Sequence, residues 1–294
     1  MNQQKGLQGW HIYHASRFGL ERWKTTLYPA LKAPVQHICL PRRTFNLPAE
    51  VVPHSSIPGV YVAPADLEVD AYFMDGASVA CALALSAKTG DKVLDMCSAP
   101  GGKSIVIARS MRSGTLVCNE LSKPRLARLK KSLNDYGLVS DSLSVTFTNQ
   151  DATTASGDIN RLGPFDRILL DAACSSDRHL LADATALSQW SYADVKDNAE
   201  RQFKMLQTAA KVLRPGGTIV YSTCALSDAE NDNVIVKFLG KNANFQVSRD
   251  ARFAEWVPGA EDTKYGIIML PDRSAFGPLY VSILKKSESL VMAA

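Results

Sequence analysis

The sequence predicts an α/β protein with a mostly parallel β-sheet. From about residue 74 onward, short apolar runs alternate with helical patterns, which is the arrangement of consecutive βαβ units. Each apolar run leads into a polar loop, and in such sheets the carboxyl ends of the strands face the ligand crevice. The predicted strands are 92–96, 115–119, 143–147, 166–170, 218–222 and 279–284. The predicted helices are 77–87, one from about 103, 123–136, 194–213, which residues 214–217 end, and 228–239, which Ser227 caps.

The first sixty residues differ from the rest of the chain in charge. Seven lysines and arginines against two glutamates give them +5, whereas the whole chain of 294 residues carries +4. Residues 8–33 show helical spacing of aromatic and leucine side chains, and residues 34–68, with six prolines, favour irregular structure and short strands. Such a segment is typical of a nucleic-acid contact surface, but a solvated helix that packs its aromatics on the main domain explains it equally well. We expect an N-terminal extension at 1–69 that contacts a nucleic acid or a partner, a main domain at 70–286 and a frayed tail at 287–294.

The composition argues against several classes of protein. No apolar stretch is long enough to span a bilayer, and residues 1–15 lack the charged start and apolar run of a secretory signal, so no membrane partner is expected. The six cysteines show no C-x-x-C and no Cys/His spacing typical of a metal site. A disulfide framework is not expected in a chain of this size, so the sequence predicts a reducing compartment and no bound metal.

A glycine-rich loop follows the first predicted strand, in the segment 95–104, D-M-C-S-A-P-G-G-K-S. Gly101 and Gly102 allow close backbone approach, and the free N–H groups of the helix that starts near Lys103 favour an anion, either phosphate or carboxylate. The loop is not a Walker loop, because position 97 is a cysteine where that motif requires glycine, and it is not G-x-G-x-x-G. A tight strand-to-helix turn without a ligand explains two glycines as well.

Acidic side chains follow three successive strands around this loop. Glu120 ends the second strand, where an acid can accept both ribose hydroxyls of an adenosine, and Asp151 follows the third, within reach of an adenine amino group. Asp171 ends the fourth strand. An isolated acid at a strand end is usually a helix cap, but three acids around one glycine-rich loop indicate an adenosine with a carboxylate tail. S-adenosylmethionine fits that description as the cofactor.

Two cysteines occupy matching positions at the carboxyl ends of predicted strands. Cys174 ends L-L-D-A-A-C and Cys224 ends I-V-Y-S-T-C, so both thiols are expected in one crevice beside Asp171. A thiolate that adds to C6 of cytosine makes C5 nucleophilic enough to accept a methyl group, which splits one difficult step into easier ones. Because an ordinary cysteine has a pKa of about 8.5, the site must favour ionisation. Asp171 is placed to bind the N3/N4 edge of the base and to stabilise the protonated intermediate.

The same segments resemble the signature blocks of the Sun-domain (Nop/Sun) RNA cytosine-5 methyltransferases. These blocks are M-C-S-A-P-G-G-K at 96–103, D-A-A-C at 171–174 and Y-S-T-C at 221–224. Further segments are similar to the mitochondrial ribosomal-RNA branch of that family, at 72–78, 119–129, 177–179 and 276–280. The resemblance covers roughly residues 70–285 and, more faintly, 10–33. It implies a Rossmann-like S-adenosylmethionine-dependent methyltransferase fold with a seven-stranded sheet, helices on both faces and a small N-terminal extension.

The resemblance also implies a role for each site residue. Cys224 would be the nucleophile toward C6, and Cys174 would help to release the product. The matching contacts to the methyl donor are Gly101, Gly102, Lys103, Ser104, Glu120, Arg125, Asp151 and Asp171. Two positions depart from the family, because Ala173 stands where proline usually precedes the second cysteine, and Glu120 stands where aspartate is usual. We expect a less rigid loop at Ala173 and a preserved ribose contact at Glu120.

The predicted function is S-adenosylmethionine-dependent methylation of cytosine C5 in RNA. Mitochondrial small-subunit ribosomal RNA is the expected target and transfer RNA the rival. A ribosome-assembly factor that binds RNA and partners, with methylation secondary or lost, stays open because of Ala173 and because no separate PUA-type RNA-binding domain is recognisable. The basic N-terminal segment or a protein partner would then supply RNA binding. A DNA cytosine methyltransferase is disfavoured, since the Pro-Cys block and the Glu-Asn-Val of that class are missing. The family branch alone indicates the mitochondrial matrix, and otherwise a cytoplasmic location is expected.

Overall fold

The computed structural model describes residues 5–42, 46–138, 142–154 and 157–288, and the predicted tail lies outside them from residue 289 onward. The strands are β1 (His37–Pro41), β2 (Val52–Pro53), β3 (Tyr61–Val62), β4 (Ala71–Asp75), β5 (Lys92–Asp95), β6 (Gly114–Asn119), β7 (Leu143–Thr148), β8 (Phe165–Asp171), β9 (Leu213–Thr223), β10 (Phe245–Ser248), β11 (Glu261–Asp262), β12 (Ile267–Met269) and β13 (Leu279–Lys286).

The helices alternate with these strands along the main domain. They are α1 (Gly6–Phe18), α2 (Leu20–Arg22), α3 (Tyr28–Lys32), α4 (Gly76–Ala84), α5 (Gly102–Met111), α6 (Lys123–Asp135), α7 (Gly157–Leu162), α8 (Asp177–Leu180), α9 (Ala184–Gln189), α10 (Tyr192–Val212), α11 (Asp232–Leu239) and α12 (Arg252–Trp256). A π-helical turn, Trp23–Leu27, joins α2 to α3. Within the described ranges, no helix combines the length and the apolar character that crossing a bilayer requires.

A mostly parallel sheet forms the centre of the main domain. Nine strands of the described ranges belong to it, in the order β11-β12-β13-β9-β8-β5-β6-β7, with β10 pairing on β13. The five strands from β7 to β9 in that order run parallel, and β13 lies antiparallel to β9. Strands β5 to β10 and β13 make up the seven-stranded sheet, and the short antiparallel pair β11–β12 extends it. Every predicted strand is present, which confirms the predicted α/β class.

Apolar side chains cover both faces of the sheet. Along β8, Ile168 and Leu170 belong to one buried cluster and Leu169 to the other, because successive side chains of a strand point to opposite faces. Helices α4, α5 and α6 pack in the cluster of Leu169, whereas α10, α11 and the N-terminal helices pack in that of Ile168. Helices therefore lie on both faces, as predicted.

The N-terminal segment packs on the main domain through its aromatic side chains. Residues 6–32 are helical except for Gly19, close to the predicted 8–33. Trp10 and Trp23 are 0% and 2% exposed and belong to the core of the main domain. Arg22 forms ion pairs with two acidic side chains of the main domain. The packing interpretation of the aromatics is confirmed, and a contact of this segment with nucleic acid or a partner stays a prediction.

Helix α11 begins later than predicted, at Asp232 and not at 228, because the Ser227 hydroxyl accepts the N–H of Ala229 at 3.1 Å in a preceding turn. Helix α10 ends at Val212, before residues 214–217 as predicted, and those four residues themselves belong to β9. Eight elements were not predicted, namely α7, α8, α9, α12, β4, β10, β11 and β12, all of two to six residues. Elements this short show no resolvable period.

Candidate active site

Two adjoining cavities open at the carboxyl edge of the parallel strands. The larger, of about 760 Å³, is lined by Glu120, Cys174 and Cys224 among others, and the smaller, of about 240 Å³, by the glycine-rich loop. Lys103 and Asp171 line both cavities, so they lie where the two meet. We call the part formed by the glycine-rich loop and Glu120 the glycine end, and the part around the two cysteines the thiol end.

The glycine-rich loop has the backbone shape that its sequence predicts. Gly101 has a φ of +120°, in the region that strongly favours glycine. A Cβ on Gly102 would lie 2.7 Å from the ring of Tyr72, so no larger residue fits at the first position of α5. The free N–H groups of this ten-residue helix begin beside the cavity, which suits an anionic ligand group.

Ser104 supports the loop from behind and lines neither cavity. Its hydroxyl donates to Asp95 Oδ2 at 2.6 Å, and both side chains are buried. Asp95 Oδ1 has no hydrogen-bond partner among the described residues. Burial raises the pKa of Asp95 to about 7. The Ser104 hydroxyl is thus directed at Asp95, and a direct contact of Ser104 with the methyl donor stays a prediction.

The acidic residues of the glycine end are held by local contacts. Glu120 is buried, accepts the N–H of Ser122 at 2.8 Å and lies 3.4 Å from Arg125 Nη1. Arg125 also donates to the carbonyl of Ala99 at 2.7 Å, which ties this acid to the glycine-rich loop. Asp151 is exposed at the rim of the larger cavity, as the sequence predicts for the residue after the third strand. The predicted contacts Glu120, Arg125 and Asp151 thus share one wall of the cleft.

An ion pair lies between the two ends. Lys103 Nζ is 2.8 Å from Asp171 Oδ2 and donates to Ser78 Oγ at 3.0 Å. Burial alone would lower the pKa of Lys103, but the charges of Asp171 and the neighbouring thiols outweigh burial and raise this pKa. The other carboxylate oxygen of Asp171 accepts the hydroxyl of Ser222 at 2.8 Å. Lys103 is therefore a fixed cation that serves both ends.

The two cysteines are brought together by neighbouring strands. Strands β8 and β9 pair in parallel with Asp171 opposite Ser222, so the loops that follow leave the sheet side by side. Cys174 Sγ and Cys224 Sγ lie 3.2 Å apart as free thiols. Ser176 Oγ is 3.4 Å from Cys224 Sγ. The predicted pairing of both thiols beside Asp171 matches this arrangement.

The two thiols differ in their tendency to ionise. The hydrogen bond to Cys224, together with burial, raises the pKa of Cys174. The hydrogen bond from Cys174 lowers the pKa of Cys224 against the effect of burial, and Ser176 and Lys103 act in the same direction. Cys224 is therefore the thiol of the pair that loses its proton more readily, and Cys174 is the one that retains it. The thiolate is the form in which Cys224 can act as a nucleophile.

A buried carboxylate that the sequence analysis did not single out joins the two cysteine loops. Asp177 accepts the N–H of Leu226 at 2.7 Å, the indole N–H of Trp10 at 2.8 Å, and lies 3.0 Å from Nε2 of His14. It connects the loop of Cys174, the loop of Cys224 and helix α1. Its position three residues after Cys174 was the one feature of the sequence that could have pointed to this role. Its partners could not be found in the same way, because they lie far from Asp177 in the sequence.

Within the described ranges, no group of three or more His, Cys, Asp or Glu side chains is arranged to hold a metal ion. The site is thus made of an ion pair, two thiols, a glycine-rich loop and acidic side chains.

The sequence of the chain is also similar to known proteins. The family model described as 16S rRNA methyltransferase RsmB/F matches residues 82–285, more than half of the chain.

The chain belongs to the RsmB/F methyltransferase family. The mitochondrial tRNA (cytosine(34)-C(5))-methyltransferase of Mus musculus is 34% identical over 225 residues, which are 74% of this chain and 64% of that protein. The 5-cytosine rRNA methyltransferase NSUN4 of Bos taurus is 31% identical over 229 residues, which are 72% of this chain and 58% of that protein. The chain thus spans less than two thirds of the length of these relatives.

Solved structures share the fold of this RsmB/F family member. NSun6 from Pyrococcus horikoshii, solved with SFG, has a TM-score of 0.74 at 18% identity and covers 95% of this chain and 98% of its own. A methyltransferase homolog from the same organism has a TM-score of 0.73 at 20% identity, covering 94% and 93%. The resemblance drawn from the motifs is confirmed at the level of the family, and its relatives include enzymes for both ribosomal and transfer RNA.

Proposed function

We propose that this protein transfers a methyl group from S-adenosylmethionine to C5 of a cytosine in RNA, with Cys224 as the nucleophile toward C6. The observation that carries the proposal is the thiol pair, 3.2 Å apart, at the inner end of a cleft whose other end is a glycine-rich loop. Family membership supports the same chemistry. The two thiols are half-buried, line the cleft and form no disulfide, so they are placed to react with a bound substrate.

The residues of the glycine end fit the cofactor. The positive φ of Gly101 and the lack of space for a Cβ at Gly102 give a backbone cradle for its carboxylate. The unpartnered oxygen of Asp95 is an acceptor that suits its ammonium group. Glu120 would bind the ribose hydroxyls and Asp151 the adenine amino group, as their strand-end positions predict. When bound, S-adenosylmethionine supplies an electrophilic methyl group.

The residues of the thiol end would carry the covalent steps. The thiolate of Cys224 adds to C6, which moves electron density to C5 and makes that carbon the nucleophile toward the methyl group. As the thiolate adds, N3 takes a proton from water, and Asp171, held by Lys103, accepts hydrogen bonds from this N3–H and from the N4 amino group. Loss of the C5 proton to a base then returns the electron pair to the ring and expels Cys224 as a thiolate. N3 returns the proton to water when Cys224 leaves. Cys174, in contact with Cys224, is the residue we assign to this release.

We further propose small-subunit ribosomal RNA in mitochondria as the target. Support comes from the relatives named for ribosomal-RNA methylation and from the mitochondrial tRNA enzyme of mouse, which keeps transfer RNA as the rival substrate. A mitochondrial location is part of the same proposal. The basic N-terminal segment or a protein partner would supply RNA binding.

The role of each cysteine is tested by a matched pair of variants. Cys224→Ser should abolish methyl transfer to RNA while S-adenosylmethionine still binds, measured by transfer of labelled methyl groups and by calorimetry. Cys174→Ala should instead accumulate a covalent protein–RNA adduct, visible on a denaturing gel. Full activity of Cys224→Ser would overturn the assignment of the nucleophile, and the absence of an adduct would remove Cys174 from product release.

The target is tested by bisulfite sequencing of mitochondrial ribosomal and transfer RNAs with and without the protein. A methyl mark lost from ribosomal RNA supports the proposed substrate, and one lost from transfer RNA supports the rival. Defective ribosome assembly with every mark retained would favour the assembly-factor alternative.

A further inference from the structure

A second buried carboxylate lies directly behind the thiol pair. Glu230 is 0% exposed and belongs to the turn between β9 and α11. Its Oε2 accepts the N–H of Ser175 at 3.0 Å and the amide of Gln202 at 2.8 Å, and its Oε1 accepts the hydroxyl of Ser175. These partners are all neutral, so no cation compensates the carboxylate when it is ionised. Such an arrangement is costly and is rarely retained without a function.

The network around Glu230 fixes the backbone on both sides of Cys174. The amide of Gln202 also donates to the carbonyl of Ala173 at 2.9 Å, and the Ser175 N–H points at Glu230. Tyr221, on β9, donates its hydroxyl to the carbonyl of Glu230 at 2.6 Å. The loop that lacks the usual proline at position 173 is therefore held by buried hydrogen bonds, and the expectation of a less rigid loop finds no support in these contacts.

The charges around the thiol pair are distributed unequally. The charge of Glu230 adds to the hydrogen bond and to burial in raising the pKa of Cys174. Lys103 lowers the pKa of Cys224, while Asp171 opposes it. Cys224 thus faces the ion pair of Lys103 and Asp171, whose two charges act on it in opposite directions, whereas Cys174 faces the charge of Glu230 without an opposing cation. This difference favours the negative charge on Cys224, because a nearby carboxylate disfavours a thiolate.

We propose that Glu230 is a positioning residue that selects Cys224 over Cys174 as the nucleophile. It does so by fixing the backbone around Cys174 and by keeping the shared proton on that thiol. The inference rests on the proposed function for what the selected thiolate attacks, but the selection itself is a property of the free protein. The titratable groups that face this network are Asp177 beside Glu230, the buried Tyr221, the thiol pair itself, and Lys103 and Asp171 beyond it.

The test is the rate at which iodoacetamide alkylates each cysteine of the full chain, followed by peptide mass spectrometry at low extents of reaction. In the unmodified protein, Cys224 should react faster than Cys174. Glu230→Gln keeps the size of the side chain and removes its charge. It should lower the ratio of the two rates about tenfold, since one pKa unit changes the thiolate fraction tenfold. An unchanged ratio overturns the proposal, and so does an equal acceleration of both cysteines, which is the result expected from loosened packing.

Two further variants separate charge from tethering. Gln202→Met removes the hydrogen bonds to Ala173 and Glu230 but leaves the carboxyl group in place. Because the lost hydrogen bond raises the pKa of Glu230 further, the ratio is compared well above pH 7, where it should persist while amide hydrogen exchange around Cys174 becomes faster. If the ratio of the two alkylation rates fell as far in Gln202→Met as in Glu230→Gln, the result would contradict a role for the charge of Glu230. Glu255→Gln, at an exposed position of α12, removes a glutamate charge remote from the cleft and should leave the ratio unchanged.

The unmodified protein provides an independent measurement, which applies even if Glu230→Gln does not fold. Burial raises the pKa of Glu230 to about 7. Below that pH the side chain is neutral and no longer disfavours a thiolate on Cys174, so the rate ratio should fall as the pH is lowered from about 8 to about 6. A ratio that stays constant over this range overturns the proposal. Because the assay needs neither RNA nor methyl donor, its outcome is distinguishable from a failure of the proposed function.

Discussion

The two ends of the cleft are built in different ways. The glycine end depends on contacts within the glycine-rich loop and the segment beside it, such as Glu120 to Ser122 and Arg125 to Ala99. It also depends on the backbone conformation of two glycines. The thiol end depends on buried carboxylates whose partners come from distant parts of the chain. Trp10 and Asp177, for example, are separated by 167 positions. Single substitutions at the glycine end should therefore have separate effects, whereas the loss of one buried carboxylate should disrupt the whole thiol end.

The largest effect is expected where the two ends meet. Lys103→Met removes the cation that pairs with Asp171 and stabilises the Cys224 thiolate, so methyl transfer in a single turnover should fall about 10³-fold. Lys211→Met, at an exposed position near the end of α10, is the control. A loss of less than about tenfold, equal to one pKa unit at the thiolate, would mean that the two ends do not share this cation.

A large loss of stability is expected at the thiol end. Asp177→Ala deprives Leu226, Trp10 and His14 of a common buried acceptor, so the free energy of unfolding should fall by about 3 kcal/mol. Urea denaturation followed by circular dichroism measures the loss. Asp197→Ala, an exposed aspartate of α10, should cost little. Equal losses in the two variants would show that Asp177 is not the link between the loops.

A smaller and more selective effect is expected at the glycine end. Gly101 and Gly137 both have a positive φ, +120° and +58°, but a Cβ on Gly137 would meet nothing within 4 Å. Alanine at either position should cost about 1–2 kcal/mol of stability through backbone strain. Only Gly101→Ala should also weaken the binding of S-adenosylmethionine, by about tenfold, which calorimetry measures. Equal affinities in the two variants would contradict a cradle at Gly101.

The smallest effect is a dependence of stability on pH that arises at Asp95. Burial raises the pKa of this side chain to about 7 from 3.8. A raised carboxyl pKa means that the native state binds a proton which the unfolded state has lost, so this group destabilises the protein increasingly as the pH rises toward 7. The stability of Asp95→Asn relative to the unmodified protein should increase with pH by at most about 1.4 kcal/mol per pH unit, and level off above about pH 7. A constant difference between pH 5 and pH 7 would show that Asp95 is already ionised at about pH 5.

The sequence predicts the glycine end better than the thiol end, for a physical reason. Glu120 follows β6 directly, and Gly101 and Gly102 end the loop between β5 and α5, so their surroundings are set by the strand-to-helix connection itself. Ser104 shows the limit of this argument, since its place in the motif does not say that its hydroxyl turns inward to Asp95. The roles of Glu230 and Gln202 follow from a turn and a helix that meet only in the folded chain, and no periodic pattern marks such a contact.

The same reasoning explains the N-terminal segment. Its aromatic spacing predicts a helix correctly, but composition alone did not decide between a nucleic-acid surface and packing. Burial of Trp10 and Trp23 in the core of the main domain decides that the aromatics are structural. Helix α1 also contacts Asp177 through Trp10 and His14, so the N-terminal segment helps to hold the two cysteine loops in place.

The contacts of Asp177 also bear on how the protein is made. A ribosome synthesises Trp10 long before Asp177, and the Leu226 amide, which completes this carboxylate's set of partners, emerges 49 residues later still. Before Asp177 is made, helix α1 lacks this acceptor, and before β9 is made, no strand brings Cys224 beside Cys174. Shorter chains therefore lack the reactive pair, which comes into existence only when β9 has been made and has paired with β8.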